Sequence, residues 1–98
     1  MTAVLVTKAA RRELDEAAAY YDAERAGLGE RLHAEFHSAA ARIAEHPLLY
    51  PKAARDARKC NVRKFPYAIV YRFREGVVTI VAFMHLHRRP GYWSGRVS

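Results

Sequence analysis

A chain of 98 residues, 51% of them hydrophobic, can build one compact domain around one core and no more. Its formal charge of +7 and isoelectric point near 10.0 direct it toward acidic partners, either nucleic acid or an acidic protein segment. No apolar run reaches the roughly 18 residues that cross a bilayer, so a membrane-spanning role is excluded.

In chain order, residues 3–6 read "AVLV", a short β-branched run suited to a buried or edge strand. No basic region precedes it, so it makes a poor signal peptide. Thr7 can cap the helix that follows. From Lys8 to about Ala26, Ala10, Leu14, Ala17, Ala18 and Tyr21 recur at helical spacing. Arg12, Glu13, Asp15, Glu16 and Asp22 fall on the opposite, solvated face. The glycines of "AGLGE" allow a tight reversal. A second helix then runs to about His46 with Leu32, Phe36, Ala39, Ala40 and Ile43 as its stripe, and Pro47 stops it. So short a link predicts an antiparallel helical hairpin.

Residues 47–59 read as a connecting loop. "CNVRKF" reads as a short strand, and "PYAIVYRF" as a second one that alternates. Tyr67, Ile69, Tyr71 and Phe73 point one way; Ala68, Val70, Arg72 and Arg74 point the other. "REG" is a turn. "VVTIVAFMHLH" is apolar on both faces until His85, the pattern of a strand covered on both sides. The order β-α-α-β-β-β predicts an α+β domain over residues 1–98, a helical hairpin on a mainly antiparallel sheet of three or four strands.

The charge is uneven. Residues 51–98 carry eleven Lys and Arg against only Asp56 and Glu75, whereas the first half is close to neutral. The second half is therefore the partner-facing one. Cys60, the single cysteine, excludes an internal disulfide and favours the reducing cytoplasm. Its basic neighbours would activate a thiol, but a cysteine inside a strand pattern is better read as packing.

Three stretches, "YYDAERAGLGERL", "VRKFPYAIVYRF" and "HLHRRPGYW", in this order and spacing, resemble the RelE/ParE superfamily of toxins from type II toxin–antitoxin systems, its ParE-like branch above all. The resemblance covers nearly the whole chain. It implies a small cytoplasmic toxin without a cofactor, wrapped and neutralised by a cognate antitoxin, with a homodimer left open. ParE-branch members poison DNA gyrase. RelE-branch members instead cleave mRNA on the ribosome without a metal, using basic residues and a tyrosine on the open face of the sheet. Arg63 and Lys64 fall where that branch keeps basic residues, and Tyr92 where it keeps an aromatic. Its arginine at the start of the third strand is here Ala68, with Arg72 four residues on. Its later arginine aligns near Leu86 and His87, with Arg88 and Arg89 beside it. These departures favour the ParE branch. A non-toxic basic binding module on the same fold is the third reading.

The chemistry-bearing candidates are Arg63, His85, His87, Arg88 and Tyr92. Two histidines two apart on a strand share a face and, beside arginines, contain the base, acid and charge of RNA cleavage. The bland alternative packs them beside Tyr92 or Trp93. The candidate surface for target or antitoxin is Arg63, Lys64, Arg72, Arg74, Arg88, Arg89, Tyr92 and Trp93. His33 and His37 stand one helical turn apart, a ligand spacing, but no third ligand is evident and no metal is expected. Tyr20 and Tyr21 read as helix-packing residues.

Overall fold

Thr7 marks the junction of the first strand and the first helix. Its N–H donates to the Ile80 carbonyl at 3.0 Å, and its hydroxyl accepts from the Ala10 N–H at 3.1 Å. One residue thus closes a strand ladder and satisfies a free donor of the helix start. The computed structural model describes residues 2–54 and 56–97. Strand β1 (Ala3–Val6) leads into α1 (Lys8–Glu24) and α2 (Leu28–Glu45), and then come β2 (Lys52–Ala54), β3 (Ala57–Asn61), β4 (Tyr67–Arg74) and β5 (Val77–His85). A single 3-10 turn, Ser94–Arg96, follows.

The strands form one sheet in the order β1-β5-β4-β3-β2. β1 runs parallel to β5, and the other pairs are antiparallel. The α+β class and the order of the first elements match the expectation, and the sheet gains a strand. Residues 47–59 are not simply a loop: β2 and most of β3 lie there. The expected strand "CNVRKF" is strand only at Cys60 and Asn61; Val62 to Pro66 turn, with Lys64 at a left-handed φ of 70°. The turn after β4 is made by Glu75 and Gly76, both at positive φ, the conformation whose twist joins two antiparallel strands tightly.

The hairpin forms as its sequence periodicity predicts. α1 buries Ala10, Leu14, Ala17 and Ala18; α2 buries Leu32, Phe36, Ala39 and Ile43. Gly27 takes the left-handed φ of 93° that starts α2. Gly29 serves differently. Its N–H donates to the Asp22 carboxylate at 2.7 Å, and a Cβ there would lie 2.6 Å from the Ala18 carbonyl oxygen. Asp22 therefore ties the two helices together rather than merely facing water. Gly29→Ala should cost about 1–3 kcal/mol by forcing the helices apart. Urea unfolding checks this; an unchanged midpoint would show that the crossing relaxes freely.

The sheet carries apolar residues on both faces. Ile69, Tyr71, Val78, Ile80 and Phe83 pack under the helices, with Tyr67 and Phe73 partly covered. Ala57, Ala68, Val70, Val81, Ala82 and Met84 form the far face, covered by Trp93 and Val97. The alternation read from β4 holds along its length. On β5 it breaks: Val70 pairs with Ala82 but Tyr71 pairs with Ile80, so Val81 is an inserted bulge residue. Before the bulge even-numbered residues face the helices; after it Phe83 does.

Candidate functional site

The motif that ends β5 wraps over the far face of the sheet. Trp93 is 3% exposed and lies in the cluster with Ala68, Val70 and Met84. It anchors the following segment rather than offering a free contact, which corrects the expectation that it reaches a partner. Its indole N–H is buried and has no acceptor among the described residues. Arg72 and Arg74 both donate to the Val97 carbonyl at 3.3 Å, and Arg74 also pairs with Asp56. These two arginines, expected as a clamp on a partner, hold the C-terminal segment onto the chain's own sheet.

The segment reaches round the open edge of β5 to Glu13. β1 ends at Val6, opposite Ile80, so further along the edge of β5 away from β4 has no strand beside it among the described residues. There the Glu13 carboxylate accepts from the Phe83 N–H at 3.1 Å, and Arg96 donates to the Val81 carbonyl at 3.1 Å. The same carboxylate accepts from Arg96 at 3.0 Å and from the Tyr92 hydroxyl at 2.8 Å, with Arg88 at 3.9 Å. Arg88 stacks over the Tyr92 ring, 3.9 Å from its centroid. Glu13 was expected on the solvated face of α1, yet its side chain is 13% exposed and joins four polar groups.

The remaining candidates are dispersed. β5 ends at His85, and His87 lies in the following turn, so the two do not share a strand face. Their rings are still 5.3 Å apart, because the His87 N–H donates to His85 Nδ1 at 3.0 Å. His85 also meets the Tyr67 ring edge-on at 5.0 Å. Arg63 and Lys64 sit exposed in the turn before β4, Lys64 3.9 Å from Glu35. Arg89 is exposed and enters no ion pair among the described residues. His33 and His37 stack on α2 with centroids 6.5 Å apart, His33 being 3.8 Å from Asp15. Tyr21 packs against Phe65 at 5.1 Å, but Tyr20 is 60% exposed, contrary to its expected packing role.

Titration favours packing over catalysis at several positions. Burial pushes the Cys60 thiol up despite the nearby Arg42 and Arg63, so the nucleophilic thiolate is disfavoured. Burial, then the hydrogen bond to Glu13 and its charge, holds the Tyr92 phenol well above its usual range, against the pull of Arg88 and Arg96. A phenol so held is a poor base. Tyr71, fully buried and donating to the Pro47 carbonyl at 2.6 Å, is pushed up to about 12, chiefly by burial. In both tyrosines the folded chain keeps a proton that the unfolded chain releases near pH 10. Their contribution is complete below pH 10 and is lost as pH rises through the folded value. Tyr71 alone should remove about 2–3 kcal/mol between pH 10 and 12. Urea midpoints measured across that range test this, and a flat profile would contradict it.

No helix among the described residues is long and apolar enough to cross a membrane. The sequence model of the family described as "ParE toxin of type II toxin-antitoxin system, parDE" matches residues 4–90. Among solved structures, the chain is similar to one titled "Chromosomal ParDE TA system from P. aeruginosa". The TM-score is 0.67 at 13% identity, over 89% of this chain and 98% of the other, a likeness of fold. No curated protein sequence matches the chain.

Proposed function

Because the chain belongs to the ParE toxin family of type II toxin–antitoxin systems, we propose that it is a cytoplasmic toxin that binds a protein target such as DNA gyrase and is neutralised by a cognate antitoxin. The observation that carries this reading is the closed far face of the sheet. Ala68 is completely buried in the cluster that Trp93 covers. A nuclease of the RelE kind needs that face open and charged. Here its arginines are engaged with Val97, and Tyr92 with Glu13. Binding by the basic second half needs none of these groups to move a proton.

The RelE-like reading keeps one supporting feature, the adjacent rings of His85 and His87. Induced expression in cells, with growth, plasmid supercoiling and mRNA integrity followed together, separates the readings. We expect growth arrest with relaxed or cleaved plasmid and intact mRNA, suppressed by co-expression of the antitoxin. His85→Ala and His87→Ala should stay within about threefold of the parent. Loss of a catalytic acid or base would cost about 10²–10⁴-fold, so such a loss, with mRNA cleavage abolished and folding intact, would reverse the assignment. Normal growth on induction would leave only the non-toxic binding module.

A further inference from the structure

α1 carries a second stripe beside the one it buries. Lys8, Arg11, Arg12, Asp15, Glu16 and Ala19 recur at spacings of three and four, so they share one face of the helix. All six are exposed, and they line a shallow groove of about 560 Å³ that starts at Val6, the last residue of edge strand β1. Arg11 and Arg12 each have an acid four positions on, Asp15 and Glu16, a spacing that favours ion pairs within a helix. Neither pair closes. Among the described residues, only Asp15 of these five charges meets an ionisable group, His33 at 3.8 Å.

The order of the charges selects the occupant. The first part of the stripe is basic and the next turn is acidic. A ligand of one charge sign therefore meets repulsion from part of the stripe. Turned antiparallel about a two-fold axis between positions 13 and 14, the stripe is complementary to itself. Arg12 then faces Asp15 of a second copy, and Arg11 faces Glu16. Lys8 lays its aliphatic stem across Ala19, the small residue of the face. Each contact occurs twice. An in-register parallel arrangement would set like charge against like. Antiparallel packing also places the positive end of each helix dipole beside the negative end of the other.

We propose that two copies of this chain associate through this face of α1, packed antiparallel. The net charge of +7 on each copy opposes association. Screening over about 8 Å at physiological salt leaves the contacting charges dominant. A single pair of helices falls below the roughly 1,200 Å² of a standard interface, and exposed ion pairs contribute little singly, so the dimer is weak. The charges set its register.

Sedimentation velocity at physiological salt and rising protein concentration should show a reversible dimer. Arg11→Glu with Arg12→Glu leaves Lys8 as the only basic group of the stripe and should weaken dimerisation by at least about tenfold. Asp15→Arg with Glu16→Arg makes the stripe wholly basic and should do the same. Mixed in equal amounts, the two variants should form heterodimers, identified by native mass spectrometry, with affinity within about threefold of the parent homodimer. Both variants stay positively charged overall, so net charge does not draw them together. The four exchanges combined in one chain restore both complementarity and net charge, and should restore the homodimer. Thermal melting checks that each variant folds. Where a reversal does not, Arg11→Gln with Arg12→Gln, or Asp15→Asn with Glu16→Gln, takes its place, with a smaller loss expected. A parent that stays monomeric at every concentration would overturn the proposal. So would a variant that dimerises as readily as the parent, or mixed variants that stay apart.

Discussion

Glu13→Ala should destabilise the protein by about 2–4 kcal/mol, the cost of leaving polar and charged partners of a partly buried carboxylate unpaired. The removed group accepts from the Phe83 backbone, from Tyr92 and from Arg96. None of these has another acceptor for that donor in the described structure, apart from the second bond of Arg96 to Val81. For a domain of this size the loss corresponds to roughly 10–25 °C in Tm. Glu13→Gln keeps one acceptor oxygen and should fall between the two. Arg96→Ala should cost less alone, and the double variant less than the sum, because both changes release the same segment. Circular dichroism melting of the four proteins checks the set. A drop below about 3 °C for Glu13→Ala would show that the carboxylate is dispensable.

Trp93→Ala should be of similar or greater size, about 3–5 kcal/mol, because it removes the largest side chain covering the far face. Trp93→Phe should cost much less, under about 1.5 kcal/mol. It keeps a ring over Ala68 and Val70 while deleting the indole N–H that has no acceptor. An unsatisfied buried donor costs on the order of 1–3 kcal/mol, and its removal offsets part of the lost volume. Chemical denaturation distinguishes the variants, with dye binding to exposed apolar surface as a second readout for the alanine form. If alanine and phenylalanine behave alike, the ring is not what closes the sheet.

The helical hairpin and β4 were legible because their signals are local. Apolar residues at a period near 3.6 bury one stripe, and strict alternation survives along the whole of β4. β2 and the first three residues of β3 were not legible as strand. "KAARDARK" has neither alternation nor β-branched residues, and its pairing comes from the ladder with β4 rather than from its own preferences. Val62 to Pro66 failed in the opposite sense: the apolar pattern suggested strand, but the chain turns there, with Lys64 at positive φ. Glu13 was placed on the solvated face because helix periodicity sees only neighbours three and four positions away. The groups that cover it are Phe83, Tyr92 and Arg96, at least 70 positions along the chain. The basic, aromatic ending was expected to face a partner, whereas Tyr92 and Trp93 fold back onto the chain itself. Its role as a strap over the sheet depends on Arg96, Val97 and Asp56, which carried no motif.

The parallel pairing of β1 with β5 has a consequence for synthesis of the chain. β1 leaves the ribosome first among the strands, yet its only strand partner among the described residues is Val77–Ile80. At about 5–20 residues per second, the roughly seventy intervening residues take about 4–14 s to make. During that interval α1 and α2 can fold on each other, and β3 and β4 can follow, but the helices' shared apolar stripe still lacks Val78, Ile80 and Phe83 of β5 beneath it. The Glu13–Arg96 contact, spanning 83 positions, is later still. A nascent chain caught before Val77 therefore carries a helical hairpin whose underside is only partly covered, a substrate for chaperones and proteases rather than a working toxin.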